Sequence, residues 1–165
     1  HFCGEPREER VMYICIGTGL GSCFIENGAL IKNRADVPPC GWIFAEPFDD
    51  DIIDRMVSGS ALVRMMREVP ELYNLSDVRA AADAAFSGNA AALRLFDCFG
   101  GRLVRAVIPF LDRFGAQRLV VGGQIVKSFS LFGNGLESAC SARSIAVSLC
   151  PASADYAMKG ALRLF

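Results

Sequence analysis

The stretch from Tyr13 to Ile31, YICIGTGLGSCFIENGALI, constrains the fold most strongly, because it sets a glycine cluster between two apolar runs. Residues 11–16 and 22–26 are rich in strand-forming side chains and predict two strands. The five residues Gly17 to Gly21 lie between them and predict a hairpin turn. Asn27-Gly28 is a two-residue hairpin signal that returns the chain into ALIKN. An antiparallel three-stranded meander is therefore expected.

An amphipathic segment, DIIDRMVSGSALVRMMREV, begins at residue 51. Ser58-Gly59-Ser60 interrupts it and predicts a break between two helices, with Ser58 or Ser60 capping the second. The run Asp49-Asp50-Asp51 is interpreted as helix capping, because carboxylates favour the positive end of a helix. A metal site is the less favoured interpretation of this run.

Two further helices are expected before the next strand. LSDVRAAADAAFSGN predicts a helix capped by Ser76 and closed near Gly88. Residues 89–114 predict a long helix that Pro109 kinks and Gly115 ends. The apolar residues of this helix recur every four positions and form one buried face: Leu95, Phe99, Leu103, Val107 and Leu111.

The remaining sequence predicts strand, helix, strand and helix. QRLVVGGQIV is a continuous apolar run ending at Gly122-Gly123, which indicates a strand buried on both faces of a parallel sheet. A helix is expected over about 129–142, a strand over 144–150 and a closing helix in SADYAMKGALRLF. This order predicts one α/β layered domain.

Composition excludes several classes of function. With 17 basic and 18 acidic residues there is no basic excess for nucleic acid, and no apolar run is long enough for a membrane span. The only histidine is His1, so Ser-His-Asp and Cys-His catalysis are excluded within this sequence. Seven cysteines without a CxxC pair indicate free buried thiols, a cytoplasmic location and no zinc site.

Each glycine cluster has a plain and a ligand-binding interpretation. GTGLG is followed by a strand rather than a helix, which argues against a dinucleotide-binding turn, and no Gly-Lys-Ser/Thr triplet is present. It is either a tight turn or a hairpin whose N–H groups and Thr18 hydroxyl bind an anion. VVGGQI is either a tight strand-to-helix connection or a ligand-binding sheet edge.

The order of four motifs resembles the C-terminal half of the ROK proteins, a family of repressors and sugar kinases in the actin-like ATPase superfamily. YICIGTGLGSCFIENGALIKN resembles their phosphate hairpin, and VSGSALVRMM resembles the helix after their sugar loop. RLVVGGQI resembles their adenosine-side turn, and SADYAMKGALRLF their closing helix. The resemblance runs from about residue 11 to the last residue.

The resemblance implies a ribonuclease H-like (actin-like ATPase) domain, with a mixed sheet flanked by helices. It implies ATP and Mg²⁺ as cofactors and a nucleotide and a small sugar as partners. The residues expected at the ATP phosphates are Gly17, Thr18, Gly19 and Gly21. Those expected at the adenosine side are Gly122, Gly123 and Gln124.

The sequence departs from the family pattern in three respects. The family's catalytic base is an aspartate that precedes the hairpin, and no aspartate precedes Gly17 in this sequence. Residues 1–165 are expected to form a single domain, the C-terminal half of a larger protein. We expect the base in the upstream domain of that protein. In the sugar loop PPCGWIFAE, Trp42 and Ala45 stand near the places where the resemblance implies a glutamate and a histidine, so the candidates there are Trp42 and Glu46. The family's cysteine-rich zinc motif is missing, and Cys40 alone cannot bind zinc.

Three functions stay open at this point. The first is the nucleotide-binding half of an ATP-dependent sugar kinase from a bacterium, inactive by itself. The second is the effector-binding half of a ROK-type repressor whose DNA-binding part lies upstream. The third is a degenerate domain that binds nothing. The apolar composition also favours a homodimer.

Overall fold

The computed structural model describes residues 10–150, which form seven strands and five α-helices. The strands are β1 Arg10–Ile16, β2 Leu20–Glu26, β3 Ala29–Ile31, β4 Pro47–Phe48, β5 Asp51–Ile52, β6 Arg118–Gly122 and β7 Ala146–Cys150. The α-helices are α1 Ile53–Met56, α2 Gly59–Arg67, α3 Val78–Phe86, α4 Ala90–Phe114 and α5 Asn134–Ser141. The closing helix expected in SADYAMKGALRLF lies outside the described residues.

The main sheet is mixed and has the strand order β3-β2-β1-β6-β7. Strands β1, β2 and β3 are antiparallel, and the turn between β2 and β3 has positive φ at both Asn27 and Gly28. The expected meander and its Asn-Gly turn are confirmed. Strand β6 runs parallel to both β1 and β7, and its residues 119–122 are buried, as the continuous apolar run predicts.

Helix α4 supplies one face of the core. The predicted buried face of α4 is confirmed, because the five apolar residues that recur every four positions from Leu95 to Leu111 are all buried. At the C-terminal end of α4, Phe114 meets Phe24 of β2 edge to face, with ring centroids 5.1 Å apart. Each such buried side chain stabilises the fold by roughly 1.5–3 kcal/mol. Gly115 ends α4 in the left-handed conformation, as predicted.

The interpretation of the acidic run as helix capping is wrong. Asp49 and Asp50 form the turn between β4 and β5, and Asp51 lies in β5. Asp49 forms an ion pair with Arg105 of α4. Helix α1 begins after Ile52 without a side-chain cap. A short hairpin needs a turn of small polar residues, and Asp49 and Asp50 supply it.

Two other helix predictions need correction. The cap of α3 is Asp77 rather than Ser76, because the Asp77 carboxylate accepts a hydrogen bond from the Ala80 N–H at 2.8 Å. The helix expected over 129–142 begins only at residue 134, and a 3-10 helix, Gln124–Leu131, precedes it. Gly133 separates the two, and a Cβ there would lie 2.2 Å from the Phe129 ring.

The cysteines are less buried than expected. In the described residues Cys140 and Cys150 are buried and Cys23 is half-buried, whereas three others are exposed: Cys15, Cys40 and Cys98. Burial raises the pKa of Cys23 to about 11 and also raises the pKa of Cys140. The described cysteines therefore fall into an exposed group of three and a buried or half-buried group of three.

An ion cluster ties the start of β1 to the end of β2. Glu26 accepts from Arg10 at 2.6 Å and from Arg34 at 2.5 Å, and Arg34 also contacts Asp36 at 2.6 Å. The Arg34 guanidinium holds the pKa of both carboxyl groups, Glu26 and Asp36, below their usual range. The cluster therefore favours the folded state when these carboxylates are ionised.

No helix within residues 10–150 is both long and apolar enough to cross a bilayer. The same part of the chain contains no cluster of three or more His, Cys, Asp or Glu side chains arranged to hold a metal ion.

Candidate functional site

The glycine hairpin between β1 and β2 turns in three residues. Gly17, Thr18 and Gly19 form the turn, which the Gly17 N–H closes by donating to the Gly19 carbonyl at 2.9 Å. Ile16 and Leu20 pair across its base, and both are buried. Gly21 belongs to β2, opposite Cys15, so the turn is shorter than the five residues predicted from the sequence.

The N-terminus of α2 holds the tip of this hairpin. The Gly59 N–H donates to the Gly17 carbonyl at 2.8 Å, and the Ser60 N–H donates to the Thr18 carbonyl at 3.1 Å. A Cβ on Gly59 would lie 2.5 Å from the Gly17 oxygen, so only glycine permits this approach. The buried Ser58 caps the helix by accepting from the Ala61 N–H at 3.1 Å, as predicted.

The first two N–H groups of α2, those of Gly59 and Ser60, are therefore already hydrogen-bonded within the protein. Within the described residues, the N–H groups of Thr18 and Gly19 and the Thr18 hydroxyl have no hydrogen-bond partner in the protein. Thr18 and Gly19 are both exposed. Unpaired N–H groups at an exposed glycine turn are suited to binding an anion. The hairpin tip, rather than the helix terminus, is therefore the candidate anion site.

The second glycine bend lies against the base of the hairpin. Gly122 ends β6 opposite Cys15 of β1. Gly123 has φ of +98°, and a Cβ there would lie 2.2 Å from the Ile16 carbonyl oxygen. Both the positive φ and the close approach require glycine at this position. The two glycine bends thus meet at one edge of the sheet, where the parallel strands β1 and β6 end.

A cleft of about 740 Å³ opens at this edge. Of the residues predicted for ligand binding, Gly17, Thr18 and Gln124 line it directly. Gly123 fixes the turn that carries Gln124, and Gly19 closes the hairpin behind Thr18. The volume is within the range of about 300–1,000 Å³ that is usual for small-molecule sites.

Helices α2 and α3 and the 3-10 helix supply the other walls of the cleft. Its apolar surface comes from Val63, Val78, Ile125 and Phe86. Phe86 is 58% exposed, which leaves its ring available to a ligand. Its basic side chains are Arg79 and Lys127, both of them exposed. The cleft therefore combines an apolar wall with cationic groups and unpaired N–H donors.

Two acidic side chains also line the cleft, Asp77 and Asp83. Asp77 is engaged as the cap of α3. The two aspartates balance the charges of Arg79 and Lys127 among the lining residues. The cleft as a whole therefore carries no net positive charge, and an anion would be attracted only close to the hairpin N–H groups, Arg79 or Lys127.

The sugar-loop candidates do not line this cleft. Trp42 is 52% exposed and lies beside Phe44, with ring centroids 5.7 Å apart. Two backbone hydrogen bonds fix Glu46: its N–H donates to the Ile43 carbonyl at 3.1 Å, and its carbonyl accepts from the Ile53 N–H at 3.0 Å. These residues lie on the loop that leads from β3 to β4 and so mark a separate region.

Comparison with known proteins identifies the family. The model of the ROK family matches residues 3–146. The chain belongs to the ROK family. No curated protein sequence matches it.

Solved structures of ROK proteins share the fold, at low sequence identity. A glucokinase from Streptomyces griseus, in complex with glucose and AMPPNP, is 18% identical with a TM-score of 0.72, over 89% of this chain and 57% of that one. A hexokinase from Thermus thermophilus is 14% identical with a TM-score of 0.70, over 90% and 54%. A ROK transcriptional regulator, a homologue of the E. coli MLC protein, is 16% identical with a TM-score of 0.70, over 86% and 42%.

These similarities establish the actin-like ATPase fold of the described domain. The chain spans a little over half the length of the two kinases and less than half that of the regulator. What each of those complete proteins binds or does is a property of that protein.

Sequence reasoning missed several residues of the site. Lys127 follows the Gly-Gly bend by four positions and was a recognisable candidate on that spacing. Arg79 and Phe86 lie on α3, which carries no ligand motif, and only the packing of α3 beside the 3-10 helix brings them to the cleft. Asp54 was also missed; its carboxylate accepts from the Leu20 N–H at 2.7 Å, just after the hairpin turn.

Proposed function

We propose that this ROK protein contributes the nucleotide-binding half of an ATP-dependent sugar kinase. The proposal is supported chiefly by one observation: the Gly17–Gly19 hairpin and the Gly123-Gln124 bend, far apart in sequence, border the same cleft. Thr18 and Gly19 would bind the phosphates through their N–H groups and the Thr18 hydroxyl. Gln124 and the apolar wall with Phe86 would take the adenosine, with Gly123 setting the turn that presents Gln124 to the cleft.

The groups that line the cleft also indicate how Mg²⁺ would bind. A triphosphate at the hairpin meets N–H groups, a hydroxyl and the cations Arg79 and Lys127, but within residues 10–150 no carboxylate cluster is arranged to hold a metal by itself. Mg²⁺ would therefore enter with the nucleotide, held mainly by phosphate oxygens and water. When bound, it would neutralise charge on the transferring phosphoryl group.

We further propose that the acceptor sugar binds near the loop of Trp42 and Glu46 and that a second domain supplies the general base. The base would take the proton of the sugar hydroxyl as that oxygen attacks the terminal phosphorus of ATP and ADP departs. This chain would then bind nucleotide without transferring phosphate by itself.

Binding of ATP-Mg²⁺ to the chain tests the proposal. Titration calorimetry and thermal unfolding should both report binding, because a ligand that binds only the folded state raises Tm. Lys127→Ala should weaken binding about tenfold or more, since a charge-assisted contact contributes roughly 1.5–3 kcal/mol.

Lys32→Ala is the matched control for this variant. Lys32 is also an exposed lysine, but it does not line the cleft. Equal weakening by both variants would indicate general charge attraction rather than a site. No heat and no rise in Tm with the wild-type chain would contradict the proposal.

An effector-binding role in a ROK-type repressor is the second candidate. It is favoured by the sugar loop, which carries Trp42 and Ala45 near the places where the resemblance implies a glutamate and a histidine. This candidate predicts that sugars bind the complete protein while ATP-Mg²⁺ does not bind this chain.

A further inference from the structure

One carboxylate joins the glycine hairpin to the loop that carries Trp42. Asp54 lies in α1, and its Oδ1 accepts from the Leu20 N–H at 2.7 Å, directly after the hairpin turn. Its own N–H donates to the Phe44 carbonyl at 3.0 Å, and the Phe44 ring lies 5.7 Å from that of Trp42. Asp54 therefore contacts both regions through short hydrogen bonds.

The contact between Asp54 and the hairpin is closely fitted. A Cβ on Gly19 would lie 3.0 Å from the Asp54 Oδ1, so a side chain there would force the carboxylate to move by a few tenths of an ångström. The absence of a side chain at Gly19 therefore favours this close approach. The Leu20 N–H belongs to the base of the hairpin, so this hydrogen bond joins the carboxylate directly to the turn.

The 42–46 loop has a second anchor that does not involve Asp54. The Ser22 hydroxyl of β2 donates to the Gly41 carbonyl at 2.8 Å and accepts from the Ile43 N–H at 2.9 Å. Ile43 is fully buried. Loss of the Asp54 carboxylate should therefore leave the loop folded and remove only its connection to the hairpin.

We propose that Asp54 is a positioning residue that couples the 42–46 loop to the Gly17–Gly19 hairpin. Filling the phosphate site would shift the hairpin tip, and Asp54 would pass that shift to Phe44 and Trp42. By thermodynamic reciprocity, a sugar bound at the loop would in turn favour nucleotide at the hairpin. This coupling rests on the proposed nucleotide site and adds a link between its two halves.

The chain carries its own reporter, because Trp42 is its only tryptophan. The wild-type chain is titrated with ATP-Mg²⁺ while fluorescence is excited at the red edge of the tryptophan band, and calorimetry measures binding separately. We expect wild type to show a saturable change in fluorescence at the concentrations at which heat is released.

Three variants separate coupling from folding and from charge. Asp54→Ala removes the acceptor and should lose the fluorescence response while still releasing heat with ATP-Mg²⁺. Asp54→Asn keeps an acceptor oxygen and should retain the response. Asp50→Ala removes an exposed carboxylate from the nearby β4–β5 turn and should behave like wild type.

The outcomes are distinguishable. Nucleotide heat with a silent Trp42 in wild type overturns the coupling and leaves the proposed function standing, and this result needs no variant to fold. An unchanged response in Asp54→Ala overturns it as well. Absence of heat in wild type removes the nucleotide site and the coupling together.

Discussion

Gly59→Ala is the substitution that most sharply tests how the hairpin is held. Gly59 is the first residue of α2, and its missing side chain lets the helix approach the Gly17 carbonyl. An added Cβ would lie 2.5 Å from that oxygen, whereas ordinary contact begins at 3.4 Å. Helix and hairpin must then separate by 3.4 − 2.5 = 0.9 Å along this direction.

The cost of that separation can be worked from the contacts it disturbs. The Gly59–Gly17 and Ser60–Thr18 hydrogen bonds, at 2.8 and 3.1 Å, are both strained or lost. Overpacking costs about 1–3 kcal/mol, and each hydrogen bond contributes roughly 0.5–1.5 kcal/mol. With partial relaxation we expect a loss of about 2 kcal/mol and a fall in Tm of roughly 4–8 °C.

Thermal and denaturant unfolding followed by circular dichroism measure this loss. Gly101→Ala is the control, because Gly101 is an exposed glycine of α4 with nothing within 4 Å of an added Cβ. That variant should gain roughly 0.5–1 kcal/mol from helix propensity. Equal stability of the two variants would refute the close contact between α2 and the hairpin.

Three other predictions concern packing, pH and thiol access. Gly100→Ala should lower the free energy of unfolding by about 1–3 kcal/mol relative to Gly101→Ala, because its Cβ would lie 2.4 Å from the Phe132 carbonyl oxygen; equal denaturation midpoints would contradict this. The lowered pKa of Glu26 means that its contribution to stability is complete above its unfolded pKa and is lost as pH falls through its folded pKa. Wild type should therefore lose more stability than Glu26→Gln in urea melts compared at neutral and acid pH, and parallel losses would count against the ion cluster. In native alkylation read by mass spectrometry, Cys15, Cys40 and Cys98 should react before Cys23, Cys140 and Cys150, and early labelling of Cys140 would conflict with its burial.

Local signals in the sequence predicted most of the fold. Asn27-Gly28 specified the β2–β3 turn because both residues tolerate positive φ. The four-residue spacing from Leu95 to Leu111 specified the buried face of α4. Gly115 specified the end of that helix. Each of these features depends on residues close together in the chain, so pattern alone was sufficient.

The errors occurred where tertiary contacts decide the outcome. The acidic run Asp49-Asp50-Asp51 predicts a helix cap, yet an aspartate favours a turn as readily as a cap, and pairing of β4 with β5 places Asp49 and Asp50 in a turn. Asp77 prevailed over Ser76 as the cap of α3 because helix register, which composition does not fix, decides between neighbours.

The candidate site was predictable only in part. The resemblance to the ROK family implied Gly17, Thr18 and Gln124 as nucleotide-binding residues, and the structure brings these three to one cleft. The roles of Arg79, Phe86 and Asp54 depend on the placement of α1 and α3, which no local motif encodes. Trp42 and Glu46 remain predictions for a sugar region outside this cleft.

In the proposed function, two glycine bends that are distant in sequence bind one nucleotide. An amide-resonance titration of the isotopically labelled chain with ATP-Mg²⁺ tests it most directly. We expect the N–H signals of Thr18 and Gly19 to shift together with that of Gln124 and all three to saturate with one Kd. Signals that shift at only one bend, or that saturate at different concentrations, would contradict it.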